Sequence, residues 1–142
     1  VARADGIVTC SQLQGVVSAR HWISNLLHTY VDFADRKDVD GAVGLLASAR
    51  VSFPGTGFDH PDDAEKFFAE LWKSPVAHRH DVSNLVVLAG SGPRVWKAHA
   101  HYTRWVFEPD PSVHTLGEYT MVVDERDWSI FELAVTRTWT RS

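Results

Sequence analysis

The chain has one cysteine and one methionine among 142 residues, and little excess of charge of either sign. A lone Cys10 can neither close an internal disulfide nor furnish a thiolate metal site, which suits a reducing compartment. Lysine and arginine total 14 against 18 aspartates and glutamates, and the basic residues are scattered rather than clustered. The electrostatic footprint of a nucleic-acid binder is therefore missing. No run approaches ~18 consecutive apolar residues, so no membrane partner is expected. The stretch Val1–Gly15 lacks both a basic start and a continuous apolar segment and does not read as a signal peptide; the expectation is a flexible N-terminal arm over 1–15 and a cytoplasmic location. A Gly-rich phosphate loop, a nucleophile elbow and a helical His-Glu-x-x-His are also absent, which removes the motif support for nucleotide, serine-hydrolase and zincin chemistry.

What is present is enough for a core. With 44% hydrophobic and 23% charged residues, the composition is that of a soluble globular domain, and a chain of this length buries roughly 70% of its extended surface on folding. A single domain over 16–142 is expected. From Val16 to Ala34, Ile23, Leu26, Leu27, Tyr30, Val31 and Ala34 recur at helical spacing, and Asp38 is placed to cap a second short helix carrying Val39, Ala42, Val43, Leu45 and Leu46. Arg50–Phe53 alternates as a short strand and stops at Pro54-Gly55-Thr56-Gly57. A third helix is expected to open at Pro61, with Asp62 and Asp63 at its positive end and Ala64, Phe67, Phe68, Leu71 and Trp72 on its buried face. After Pro75 the period changes to two. Long strands are predicted near 77–89, 94–107, 113–124 and 128–141, joined by separators short enough for antiparallel neighbours. Helices followed by a strand run give an α+β order, with helices covering one face of a curved sheet and leaving a pocket beneath them.

This element order resembles the nuclear transport factor 2-like superfamily, and in particular its SnoaL-like and scytalone dehydratase-like enzymes, from about residue 16 to 141. The pieces that carry the resemblance are Tyr30-Val-Asp-Phe-Ala-Asp35-Arg-Lys-Asp38 at the end of the first helix, His78-Arg-His80-Asp-Val-Ser-Asn84 opening a long strand, and more weakly Arg50-Val-Ser-Phe53. The fold it implies is a cone of three N-terminal helices on a strongly curved, mainly antiparallel sheet. The activity it implies is a dehydratase, isomerase or cyclase acting on a hydrophobic cyclic or polyketide-like substrate without metal or other cofactor. In scytalone dehydratase-like members, an aspartate at the position matching Asp35 pairs with a histidine at the position matching His80. The tyrosines that assist that dehydration fall on Ala34 and Phe53 here, so neither phenol is present. A homodimer through the outer face of the sheet is a further implication. The same fold also hosts non-catalytic ligand-binding and subunit-assembly domains.

Strand parity sets His78, His80, Val82, Asn84 and Val86 on one face, with Arg79, Asp81 and Ser83 on the other. An imidazole in an apolar cavity handles protons near neutral pH, and a carboxylate partner fixes its tautomer. Asp35 and His80 are therefore the candidate catalytic pair, to be set against a capping carboxylate and a satisfied interior histidine. Asn84 is a candidate for holding a substrate oxygen. On the next strand, His99, His101, Thr103 and Trp105 share one parity, and Trp96, Ala98, Ala100, Tyr102 and Arg104 the other. Parity does not choose between them, and alignment through the family favours the histidine set, making His99, His101 and Trp105 substrate-binding candidates. Tyr30, one turn before Asp35, and Phe53 complete the candidate pocket. Two His-x-His pairs raise a metal site, but no carboxylate stands at ligand spacing beside them and no metal is expected. Glu118 is expected on a solvated face.

Overall fold

Ala19, Ile23, Leu27, Tyr30, Val31 and Ala34 recur at intervals of three and four, and all six are buried along one stripe of the first helix, α1 (Cys10–Arg36). The computed structural model describes residues 2–3, 6–7 and 10–142, with side chains from Gln14 onward. The expected arm over 1–15 falls partly on Val1, Ala4, Asp5, Val8 and Thr9, which lie outside the described residues. Within it, Ala2–Arg3 (β1) pairs antiparallel with Gly6–Ile7 (β2), and α1 begins at Cys10 rather than Val16.

Helix α1 ends in a left-handed residue, Lys37 at φ 56°. The Lys37 amide donates to the Ala34 carbonyl at 3.1 Å and the Asp38 amide to that of Phe33 at 2.9 Å, the paired bonds that satisfy the last carbonyls of a helix. Asp38 then serves twice, because its carboxylate accepts the Gly41 amide at 3.0 Å and caps α2 (Val39–Leu46) as expected. Gly41 permits this tight turn, since a Cβ there would lie 2.6 Å from the Phe33 ring.

Arg50–Phe53 (β3) turns at Pro54-Gly55 into a strand not foreseen in the sequence, β4 (Thr56–Phe58). The third helix opens differently from expectation. Pro61–Asp63 forms a 3₁₀ turn, with Nδ1 of His60 accepting the Asp62 amide at 3.2 Å, and α3 proper spans Ala64–Leu71. Ala64, Phe68 and Trp72 are buried, with Phe67 and Leu71 packed partly buried against them.

The four long strands are β5 (His78–Ala89), β6 (Val95–Val106), β7 (Ser112–Asp124) and β8 (Ser129–Thr140). They close a six-stranded sheet of order β4-β3-β8-β7-β6-β5, antiparallel except where β3 lies parallel to β8. Three helices on this curved, mostly antiparallel sheet give the α+β cone.

Two features of register decide what the cone encloses. A bulge interrupts β5 between Ser83 and Val86, with Asn84 at φ 57°. Val82 faces the core before it, and Leu85 and Val87 do so after it. In β6 the buried members are Ala98, Ala100 and Tyr102, so the parity favoured for His99 and His101 is reversed. Two alanines and a tyrosine let the helices lie close to the sheet, whereas two imidazoles there would require polar partners in the core.

Gly117 on β7 permits another close approach. A Cβ there would overlap the Thr136 carbonyl oxygen and lie 2.5 Å from Cε2 of Tyr102. The Tyr102 ring thus crosses β7, and its hydroxyl donates to that carbonyl at 3.3 Å. Gly117→Ala should destabilise the fold by about 1–3 kcal/mol through overpacking; urea unfolding midpoints equal to wild type would contradict this account of the register.

Candidate active site

The C-terminal turn of α1 and the first residues of β5 meet across the sequence and build the site. Oδ1 of Asp35 accepts two hydrogen bonds from one residue, the backbone amide of His80 at 2.9 Å and its ring Nδ1 at 2.7 Å. The His80 side chain is 9% exposed and that of Asp35 25%. Because the carboxylate accepts, Nδ1 carries the hydrogen, leaving Nε2 with its lone pair. The structure thus brings the predicted pair into direct contact.

His78 holds the same junction from the other side. Its Nε2 donates to the Ala34 carbonyl at 2.6 Å, and its Nδ1 accepts from Nε of Arg104 at 3.0 Å. A ring bonded in this way is neutral. Burial, opposed by the bond to the Ala34 carbonyl and reinforced by His80, Arg104 and Lys37, carries its pKa from the ordinary 6.5 to about 4. Lys37 completes the docking, its ammonium donating to the Ser74 carbonyl and, at 2.6 Å, to that of Val76.

Above the pair lies a cavity of about 250 Å³. Tyr30 and Phe53, both expected in the site, line it. Tyr30 is buried with its ring edge-on to Tyr119, and burial raises its phenol well above the usual range. Phe53 sits 5.3 Å from Phe67, centroid to centroid. Tyr102 and Tyr119 stack at 4.6 Å on the sheet side.

The remaining candidates are elsewhere. The bulge turns Asn84 out of line with His80, and its amide lies exposed, 3.4 Å from Nδ1 of His101. His101 pairs with Glu118 at 3.2 Å, both half-exposed on the outer face. His99 is exposed on the same side. Trp105 donates its indole hydrogen to Asp81 at 3.0 Å and does not line the cavity.

In their place the cavity holds Arg104, His114, Thr115 and Arg137, which the sequence reading did not select. Arg104 gives one Nη1 hydrogen to Nδ1 of His114 at 3.1 Å, so that imidazole too is an acceptor. Burial, and then the positive charge of Arg104, lowers its pKa. A signal was available: Arg104 shares parity with Ala98, Ala100 and Tyr102, an arginine in a buried file.

Asp35, His78 and His80 place ligand atoms within 4.8 Å of one another, a spacing a metal ion could use. The donor chemistry argues otherwise, because both nitrogens of His78 are committed and one faces a guanidinium that a cation would have to displace.

No protein-family model matches the chain, and no curated protein sequence matches it. Its fold has many counterparts among solved structures. A protein assigned as a scytalone dehydratase from Novosphingobium aromaticivorans superposes with a TM-score of 0.73 at 16% identity, covering 89% of this chain and 88% of its own. The hexachlorocyclohexane dehydrochlorinase LinA-type3 from Novosphingobium barchaimii gives 0.73 at 15%, covering 88% and 90%. A protein assigned as the β subunit of an aromatic-ring-hydroxylating dioxygenase from N. aromaticivorans gives 0.74 at 14%, covering 89% and 93%. The chain thus has the nuclear transport factor 2-like, SnoaL-like fold.

The neutral His78 has a consequence for stability. The unfolded ring binds a proton below about 6.5 and the folded ring only below about 4, so stability falls as pH drops through that window. His78→Gln, which keeps a donor and an acceptor, should flatten the fall in melting temperature between those two values; an unchanged slope would show that His78 is not the group responsible.

Proposed function

We propose that the chain is a small lyase or isomerase of dehydratase or cyclase type that transfers protons with Asp35 and His80 and needs no cofactor. The observation that carries this reading is the 2.7 Å contact between the two side chains, with His80 lining the cavity and Asp35 behind it. With Nδ1 protonated by its contact with Asp35, Nε2 of His80 accepts a proton from a carbon next to a carbonyl. Asp35 steadies the imidazolium. In a dehydration the C–H electrons form the new double bond, the C–O bond breaks, and the imidazolium returns the proton to the departing hydroxide as water. In an isomerisation the same proton returns to a different carbon.

Two neighbours of the same fold are assigned elimination chemistry and a third is an oxygenase subunit, so the fold alone does not choose between catalyst and assembly domain. The contact within an open cavity favours the catalyst. The family's tyrosines are replaced by Ala34 and Phe53, and the phenols that do line the cavity, Tyr30, Tyr102 and Tyr119, are held in their neutral form by burial.

Turnover is best sought with small cyclic hydroxyketones, followed by the ultraviolet absorbance of the conjugated product. His80→Ala and Asp35→Asn should each lower kcat/KM by about 10²–10⁴ while circular dichroism stays native. Undiminished turnover in either variant would remove the pair from the mechanism.

A homodimer is part of the same reading. The outer sheet face exposes Val86, Leu88, Leu116 and Trp139, and Leu116 pairs directly with Trp139 across β7 and β8. Apolar residues exposed together mark association surfaces. Sedimentation velocity should show a dimer that Trp139→Glu dissociates; a wild-type monomer at every concentration tested would overturn it.

A further inference from the structure

The cavity carries more positive charge than the proton-transfer pair explains. Arg104 is partly buried, and its side-chain partners are two imidazole nitrogens acting as acceptors, Nδ1 of His78 and Nδ1 of His114. Arg137 also lines the cavity. Among the described residues neither guanidinium forms an ion pair with a carboxylate. The carboxylate of the proton-transfer pair, Asp35, already accepts two hydrogen bonds from His80. Arg104, partly withdrawn from water without a counter-charge, is a cation that an anion in the cavity would complete.

Register fixes where that anion sits. His80 of β5 is the direct cross-strand partner of Arg104 on β6. Arg104 in turn faces Thr115 on β7, and the next inward position of β7, Gly117, faces Arg137 on β8. The two arginines therefore rise from strands about 10 Å apart, with β7 between them. Both line the same cavity, on either side of a stretch of β7 where Thr115 gives its hydroxyl to His114 and the Tyr102 ring covers Gly117. Lowering of the Arg104 pKa, first by burial and also by Arg137, agrees with two cations sharing one space.

The guanidinium is the side chain matched to a planar oxyanion, because its parallel N–H groups meet two oxygens at once. Arg104 retains three N–H groups after its bonds to His78 and His114. Much of the rest of the lining is aromatic or aliphatic, with Phe53, Trp72, Tyr102 and Leu71 among it, and the volume of about 250 Å³ is below the ~300–1,000 Å³ of sites for drug-sized ligands. We infer that the cavity takes a small cyclic carboxylic acid, its carboxylate held between Arg104 and Arg137 and its ring against the aromatic wall, with a ring carbon turned toward His80. This rests on reading the cavity as a substrate site and narrows the hydrophobic cyclic substrate to an acid.

Binding can be tested without turnover. Isothermal titration of the full chain with benzoate and cyclohexanecarboxylate, each against its neutral amide, should show the acids binding at least tenfold more tightly. Arg137→Gln, at an exposed position, should lower acid affinity about tenfold, leave amide affinity unchanged and preserve the melting temperature. Arg104→Lys, which keeps the charge and loses the fork, should weaken the acids too. Acids and amides binding alike, neither binding at millimolar concentration, or an acid preference that survives Arg137→Gln would each overturn the inference. Acid preference with no turnover of any cyclic acid would leave the anion site standing and count against the proton-transfer reading. Turnover of neutral substrates without acid preference would do the reverse.

Discussion

The docking of the last turn of α1 onto the first residues of β5 is the interaction on which the rest depends. Three successive contacts make it: the Ala34 carbonyl receives His78, the Asp35 carboxylate receives His80 twice, and the Lys37 ammonium ties down Ser74 and Val76. Each contact uses a group at the helix terminus, a carbonyl with a second lone pair to offer beyond its bond to the Lys37 amide or a side chain beside the left-handed turn. A helix end already closed by the Lys37 and Asp38 amides is here also tied to the sheet. The same bonds fix the angle between helix and strand and the orientation of both imidazoles.

That junction explains why the site is polar on one wall and aromatic on the other. The side nearest α1 holds the imidazoles of His78 and His80 and the carboxylate of Asp35, joined by hydrogen bonds to one another and to the end of the helix. Farther along the sheet, the Tyr102–Tyr119 stack and the edge-on Tyr30 fill the space that Gly117 opens. Polar atoms in such a place must be bonded, and among the described residues no buried side-chain nitrogen or oxygen lacks a partner.

Much of this was legible before any coordinates. Elements with strong periodicity, α1 and the four long strands, were placed closely, because burial of one face dictates the spacing of apolar residues and the spacing survives in the sequence. The Asp35–His80 contact was anticipated through a resemblance rather than through periodicity, since residues 45 apart carry no local trace of their meeting. Two residues or sets were misplaced, each for its own reason. Asn84 was assigned to the pocket because alternation was carried straight through a bulge, and the bulge has no signature beyond an asparagine tolerant of positive φ. His99 and His101 were preferred over Ala98, Ala100 and Tyr102 because parity left the face open and alignment through the family was followed; yet small residues on a strand facing helices are the stronger signal of an interior. Arg104 was lost with that choice, and Arg137 has no neighbour in sequence that marks it.

The bulge at Asn84 divides β5 into two independent lengths. On the histidine side His78 and His80 look into the chamber and Val82 into the core, and beyond the bulge the odd-numbered Leu85 and Val87 pack against the apolar interior. A single strand thereby belongs to two compartments whose phases do not interfere. The residues of β5 that shape the chamber and those beyond the bulge that close the core thus lie on separate lengths of strand, so a substitution at one length leaves the facing of the other unchanged.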